Sequence, residues 1–254
     1  ARALFRRLGL LAAPDFAAWV TMPLLDVGLD EAQDALDQLV DSRLVEVSTE
    51  PGRPARYRMH DLVRVYSREQ LTAEEPVAER RATLTRLLGC VLHLTEETHR
   101  REYGGPFTIP HGSAPRHPLD PQIVATLLSA PLRWLQQERL FVVTAVGQAV
   151  RAGMTEHAWD LAMSAVILFE LGHHFEDWRS TTELALDATR RAGDRRGEAA
   201  MLYSLGGLAL AEQRPEVAVT RLNRAREIFD ERGDRYGQAL AQRHLAFADR
   251  ILGR

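Results

Sequence analysis

A 40-residue repeat in the second half of the chain constrains the fold more than any other sequence feature. Glycines recur at that spacing as Gly153, Gly193 and Gly233. Other residues keep the same spacing: Ala145, Ala185 and Ala225, the pairs Asp194-Arg195 and Asp234-Arg235, Gly197 and Gly237, Ala199 and Ala239, and Leu205 and Leu245. Because these matches fall in different parts of the unit, they indicate a structural repeat.

Each unit of the repeat predicts two helices. The first set of helices covers residues 135–152, 175–192 and 215–232, and the second covers 155–171, 195–213 and 235–252. A glycine suits the left-handed turn after a helix, and Asp194 and Asp234 can cap the helix that follows. The recurring alanines allow neighbouring helices to approach closely. The pattern therefore predicts an α-solenoid of tetratricopeptide-like repeats over residues 122–254.

The chain is expected to be a piece of a longer protein. It starts at Ala1 without methionine, and it ends at Arg254 inside the periodic pattern. We therefore predict that the repeat array is incomplete at its C-terminus.

Residues 1–75 have a different pattern, which predicts three helices, a hairpin and a final helix. The predicted elements are an amphipathic helix over 1–11, a helix from Pro14-Asp15, a helix over 30–42, strands over 44–48 and 55–59, and a helix from Asp61. Asp61 is placed to cap the last of these. Tyr57, Leu62 and Tyr66 are expected to pack in the core. This order of elements is typical of a winged-helix domain.

Residues 76–121 are predicted to link the two parts as a helix followed by a loop. The helical pattern reaches Tyr103, with Pro76 and Gly89 as its weak points. Residues 104–121 contain five of the twelve prolines, together with His111 and His117, which predicts a loop. The fold class is therefore mainly α.

The composition excludes several kinds of site. All 32 basic residues are arginine, so neither a phosphate-binding loop with its lysine nor a Schiff-base lysine can form. The single cysteine, Cys90, excludes an internal disulfide and a zinc site of several thiolates. Cys90 itself is expected to be a buried small residue. No apolar run approaches about 18 residues and no signal-peptide pattern is present, so we expect a cytoplasmic protein without membrane contacts.

The predicted winged helix has the wrong charge for binding DNA. Its third helix, the expected reader of the major groove, carries five acidic residues: Asp30, Glu31, Asp34, Asp37 and Asp41. Residues 1–75 hold 9 Arg against 13 Asp and Glu. Arg53, Arg56 and Arg58 on the wing are the candidate phosphate contacts, although a solvated hairpin explains them equally. We therefore expect no DNA binding by this domain.

The remaining polar and aromatic residues are predicted to be structural. His157, His173 and His174 lack the spacing of a metal site, and no arrangement of side chains predicts catalysis. Arginine pairs 190–191 and 195–196 are typical of solvated helix ends, although they could line a groove for an acidic peptide. Five aromatic residues favour core packing over a binding groove: Trp134, Trp159, Phe169, Phe175 and Trp178.

The run from Tyr57 to Tyr66 resembles a known family. Its Met59-His60-Asp61 resembles the MHD signature of STAND-class (NB-ARC) signal-transducing ATPases. The surrounding residues resemble the actinobacterial regulators of antibiotic synthesis of the SARP/AfsR type. Three further segments support that branch: Leu4–Leu10 with Pro14-Asp15-Phe16, Leu39–Glu46, and Ala192–Ala199, which resembles the tetratricopeptide repeats of the same proteins.

The resemblance implies an effector domain, a nucleotide-binding domain, a winged helix and repeats, in that order. This chain is expected to lack the first two, so it holds no cofactor itself, whereas the parent protein binds ADP or ATP with Mg. In the family the MHD histidine contacts the ADP phosphate, and that role falls to His60, with Asp61 orienting it. DNA is read by the missing effector domain.

The residues and the resemblance together predict a regulatory arm that is not an enzyme. It would couple the nucleotide state, through His60, to a protein or small-molecule signal bound by the repeats, with its own nucleotide-binding domain as a partner. Two alternatives remain open: an interaction scaffold with no nucleotide link, and a DNA-binding winged-helix regulator.

Overall fold

The computed structural model describes residues 1–103 and 108–254 and is mainly helical. The chain forms two compact units. Unit 1 comprises Ala1–Cys90 with Pro115–Leu119, and unit 2 comprises Val91–Ala114 with Asp120–Arg254. Residues of the predicted linker, 76–121, contribute to both units. Its loop is non-helical from 108 to 120, while residues 104–107 of that prediction lie outside the described part.

Unit 1 contains helices and a hairpin in the predicted order. The elements are α1 (Arg2–Leu8), a 3₁₀ turn (Ala18–Val20), α2 (Thr21–Leu25), α3 (Leu29–Asp41), β1 (Glu46–Ser48), β2 (Arg56–Arg58) and α4 (Asp61–Glu74). The strands pair antiparallel with Val47 opposite Tyr57, and Phe16 bridges to Tyr57 on its other side. The winged-helix assignment stays a prediction.

The packing of α4 corrects one prediction. Tyr57 is buried as expected, but Leu62 and Tyr66 are 75% and 53% exposed, so their placement in the core was wrong. The buried face of α4 is instead centred on Ser67, whose hydroxyl donates to the Phe5 carbonyl at 2.8 Å. Gly9 makes this contact possible, because a Cβ there would lie 2.6 Å from Ser67 Oγ. Small residues thus fix the rotation of α4 against α1.

Helix α5 (Val77–Tyr103) begins one residue after Pro76 and runs without interruption past Gly89. The prediction that Gly89 weakens the helix was therefore wrong. Gly89 instead lies against the backbone of the following loop, since a Cβ would be 2.6 Å from the Pro115 carbonyl oxygen. The glycine provides room for a close backbone approach.

Unit 2 continues with a series of helices consistent with a helical solenoid. They are α6 (Pro121–Leu127), α7 (Pro131–Gln137), α8 (Arg139–Arg151), α9 (Thr155–Ser164), α10 (Val166–Leu171), α11 (Phe175–Ala192), α12 (Arg195–Ala211), α13 (Pro215–Glu231) and α14 (Arg235–Ile251). The predicted helix over 135–152 is divided between α7 and α8, and that over 155–171 is divided at Ala165. The other four predicted repeat helices are confirmed within about two residues.

Residues with a left-handed backbone conformation recur every 20 positions in unit 2. They are Gly153 (φ 66°), His173 (53°), Gly193 (68°), Gln213 (59°), Gly233 (66°) and Gly253 (72°). Each helix or helix pair is therefore closed by the same kind of turn. The glycines recur every 40 residues rather than every 20, because His173 and Gln213 occupy the turns between them.

The predicted caps Asp194 and Asp234 are confirmed, and each makes a second bond. Their Oδ1 atoms accept from the backbone N–H of Gly197 and Gly237, both at 2.9 Å. Asp194 Oδ2 accepts from the Trp159 indole at 2.8 Å, and Asp234 Oδ2 accepts from the Arg196 guanidinium at 3.0 Å. Each aspartate therefore caps its own helix and binds the preceding unit.

The aromatic residues near the first full repeat are mostly core residues, as predicted. Trp134, Trp159, Phe169 and Trp178 are buried, whereas Phe175 is half-buried. Cys90 is also buried, and burial raises the pKa of its thiol. No helix within residues 1–103 or 108–254 is both long and apolar enough to cross a membrane.

The double role of Asp194 predicts a graded loss of stability. Asp194→Ala removes both bonds and should lower the free energy of unfolding by about 2–3 kcal/mol. Asp194→Asn keeps a good cap but places an amide opposite the Trp159 N–H, so its loss should be intermediate. Urea unfolding of the chain measures both. Asp187→Ala, at an exposed site in α11, is the control; equal losses for Asn and Ala would contradict a separate role for the second oxygen.

The left-handed turn at Gln213 predicts a stabilising substitution. Gln213→Gly should raise the free energy of unfolding by about 0.5 kcal/mol, because relief of a left-handed conformation outweighs the greater freedom of the unfolded chain. The same change at Gln242, exposed inside α14, should instead cost about 1 kcal/mol. Thermal unfolding of the two variants compares them directly. A loss of stability at position 213 would refute the interpretation.

Candidate functional site

His60 occupies the junction between β2 and α4. Met59 before it is buried, whereas His60 itself is exposed. The structure corrects the predicted cap: His60, not Asp61, is the N-cap of α4, and its Nδ1 accepts from the Leu62 backbone N–H at 3.4 Å. Asp61 is the first residue of the helix, where a negative charge suits the helix dipole.

The capping bond determines which nitrogen of His60 can donate. A neutral imidazole has one N–H and one acceptor nitrogen. Because Nδ1 accepts from Leu62, the proton of neutral His60 resides on Nε2. His60 therefore presents an exposed N–H donor beside the N-terminus of a 14-residue helix, a position that favours an anion.

Arginine side chains lie along the first turns of α4. The Arg64 guanidinium donates to the Pro14 carbonyl at 2.8 Å. Burial lowers the pKa of Arg64, and the charges of Arg68 and Arg58 lower it further against the opposing charges of Asp61 and Asp15. An anion near this cluster of arginines would be attracted to it.

Three apolar side chains share the exposed face of α4 next to His60. Leu62, Val65 and Tyr66 are spaced three and four residues apart, and each is more than half exposed. We call these residues the α4 stripe. Sequence reasoning had placed two of them in the core, because helical periodicity alone does not show which side of a helix is covered.

The wing arginines are partly engaged in ion pairs. Arg53 contacts Glu50 at 2.8 Å, and Arg56 contacts Asp15 at 2.5 Å. Arg58 is exposed. The acidic residues Asp30 and Glu31 occupy the first turn of α3. These contacts favour the expectation that this unit does not bind DNA, which stays a prediction.

The arginine pairs of the repeats also bind within the chain. Arg190 contacts Glu198, Arg195 contacts Glu231, and Arg196 contacts Asp234, at 3.2, 2.8 and 3.0 Å. They were predicted to be solvated helix ends. In the structure, Arg190, Arg195 and Arg196 instead form ion pairs that link neighbouring helices.

A charged cluster in unit 2 was missed by the sequence reasoning. His111 Nδ1 lies 3.0 Å from Glu96 Oε1 and 3.2 Å from Asp160 Oδ1. Asp160 is fully buried, and its Oδ2 accepts from the Gly112 backbone N–H at 2.9 Å. The three residues are far apart in the chain, so no local motif reveals them.

The His111 imidazole is protonated at neutral pH, and its positive charge is paired with the carboxylates of Glu96 and Asp160. Burial alone lowers the pKa of His111, but hydrogen bonds and charges from Asp160 and Glu96 outweigh it and raise the pKa to about 9. In the described residues this is the group of side chains whose geometry suits a metal ion. A metal would have to displace the proton from Nδ1. His157, His173 and His174 are not part of the cluster.

The raised pKa of His111 predicts a loss of stability in alkali. The folded value of about 9 exceeds the ordinary 6.5, so the stabilisation is complete below pH 6.5 and is lost as the pH rises through 9. Its size is at most about 3.5 kcal/mol, since one pKa unit corresponds to about 1.4 kcal/mol. Urea unfolding from pH 6 to 10 measures it. His111→Gln should remove this slope and His117→Gln should keep it; a slope unchanged in His111→Gln would disprove the assignment.

Comparisons with known proteins point to one kind of regulator. No protein-family model matches the chain, and no solved structure matches it. The chain is 33% identical over 196 residues to the regulatory protein AfsR of Streptomyces griseus, covering 77% of this chain and 19% of that protein. It is 33% identical over 218 residues to the regulatory protein AfsR of Streptomyces coelicolor, covering 84% of this chain and 21% of that protein.

The chain spans about a fifth of the length of the curated relatives that it matches. The similarity nevertheless extends over most of this chain and includes both units in the longer alignment, since 218 of 254 residues exceed either unit alone. This homology to the AfsR regulatory proteins supports membership of the SARP/AfsR family of regulators.

Proposed function

We propose that this chain is the regulatory arm of a transcriptional regulator of the SARP/AfsR type, made of a winged helix and tetratricopeptide repeats. Homology to AfsR over most of the chain supports the assignment of a regulatory role. The hairpin between α3 and α4 supports the winged helix, and the capped helices of unit 2 support the repeats. The arm itself performs no catalysis, and an effector domain elsewhere in the parent protein reads DNA.

His60 is the residue that senses nucleotide in this proposal. Its Nε2–H is an exposed donor, and the nearby arginines and the start of α4 favour a phosphate. The chain contains no lysine, so the phosphate-binding loop must belong to a separate domain of the same protein. ADP or ATP with Mg would supply the charge that distinguishes the two states. In this proposal His60 is one of several hydrogen-bond donors to the phosphate of that nucleotide.

The α4 stripe supplies the surface on which that domain would lie. Three apolar side chains directly beyond His60 are each more than half exposed in unit 1. Covering them with the nucleotide-binding domain would bury apolar area and bring His60 to the bound phosphate. A signal bound by the repeats would then favour one of the two arrangements.

Substitution of His60 in the parent protein tests this function. His60→Ala should reduce the ADP retained through purification and raise basal transcriptional activity, because a donor to the phosphate is lost. His60→Asp keeps a good cap and adds a negative charge, so it should reduce ADP further. ADP is measured by chromatography after denaturation, and activity by a reporter gene.

A matched control separates nucleotide sensing from folding. His173→Gln changes an exposed histidine of unit 2 and should leave the ADP content unchanged. Unchanged ADP in both His60 variants would refute the role of His60. A reading frame around this chain that encodes no phosphate-binding loop would favour a tetratricopeptide interaction scaffold without nucleotide linkage.

A further inference from the structure

Unit 2 contains a cavity that the proposed role of His60 does not use. Its volume is about 630 Å³, and it lies among the end of α5, α10, α12 and α14. This volume is in the range of sites for small organic ligands. We call it the α12 groove, because side chains of α12 line its centre.

The walls of the α12 groove are largely apolar and include two aromatic residues: Trp178 is 3% exposed, and the ring centroid of Phe247 lies 5.0 Å from the Arg250 guanidinium. Trp178, Val166, Leu210 and Phe247 line it, and Phe247 is 43% exposed. The Trp178 N–H donates to Ser204 Oγ at 2.8 Å, so the indole donor is already paired. Gly207 borders that ring, since a Cβ there would lie 3.5 Å from Trp178 Cζ2, in ordinary van der Waals contact.

Two histidines that line the groove each have one buried ring nitrogen without a partner in the described residues, while the other nitrogen of His99, Nε2, lies 2.7 Å from Thr108 Oγ1. His99 is 3% exposed, and its Nδ1 has no hydrogen-bond partner within residues 1–103 and 108–254. The same holds for Nδ1 of His244 in that part of the chain. Burial lowers the pKa of both histidines to about 4, so both are neutral at pH 7.

Arg243 gives the α12 groove its positive charge. Its guanidinium makes long contacts of 3.4 Å to Tyr203 Oη and to the Thr108 carbonyl, and it forms no ion pair among the described residues. The lining carboxylate, Glu170, accepts from Tyr103 Oη at 3.0 Å. The lining therefore holds one carboxylate, Glu170, and one cation, Arg243, which has no ion pair in the described part of the chain.

We propose that the α12 groove binds a small organic anion with an aromatic or otherwise apolar body. The body would lie against Trp178 and Phe247, and the anionic group would pair with Arg243. This inference rests on the proposed function, in which the repeats receive the signal, and it names the chemistry of that signal.

Two matched fluorescent probes test the charge requirement. The probe 8-anilino-1-naphthalenesulfonate has an aromatic body and a sulfonate, and N-phenyl-1-naphthylamine is the same body without the sulfonate. The sulfonate probe should bind the chain saturably with one-to-one stoichiometry, and the neutral probe should bind at least about tenfold more weakly, which is typical of a lost charge-assisted hydrogen bond. Fluorescence titration and calorimetry measure both.

Three variants assign the binding to the α12 groove. Arg243→Gln should weaken the sulfonate probe about tenfold and leave the neutral probe unchanged. Gly207→Leu should fill the space over Trp178 and abolish the binding of both probes. Arg235→Gln, at an exposed site of the same helix outside the lining, is the control and should bind as the unaltered chain does. Circular dichroism confirms that each variant is folded.

Several results would overturn the proposal. Equal affinity of the sulfonate probe for Arg243→Gln, or binding that survives in Gly207→Leu, would place the probe elsewhere. Failure of the chain to bind either probe would also refute the proposal, and a mass that rises with concentration would identify a second copy of the chain as the occupant. These failures are distinct from failure of the proposed function, which is measured by ADP at His60.

Discussion

The repeat half of this protein depends on the two oxygens of a capping aspartate. In Asp194 and Asp234 one oxygen accepts from the backbone at the start of the helix, and the other accepts from a side chain of the preceding unit. Helix initiation and the stacking of units are thus coupled in one side chain. Because each unit of a solenoid contacts mainly its neighbours, such a local link sets the geometry of the whole array.

The position of His60 depends on a different constraint, the close contact between α1 and α4. Ser67 and Gly9 are small enough for the two helices to touch, and this contact turns the apolar residues of α4 outward. The same helix begins at His60, so the exposed imidazole and the α4 stripe share one surface. A nucleotide-dependent contact would therefore involve both features at once.

The sequence predicted much of the fold because its strongest signals are local. Glycine after a helix and aspartate before the next act within a few residues, and the caps at Asp194 and Asp234 were predicted correctly. Predictions that depended on which face of a helix is covered were less successful. Leu62 and Tyr66 have helical spacing, yet spacing does not distinguish a buried stripe from an exposed one.

The sequence by itself determined the periodicity, the order of helices and hairpin, and the chemistry that a chain without lysine cannot perform. Only the tertiary structure decided that His60 rather than Asp61 caps α4, and that His111 joins Glu96 and Asp160. It also decided that Arg243 lies beside Trp178 in one groove. Local rules follow from backbone geometry over a few residues, whereas contacts between distant residues depend on how whole helices pack.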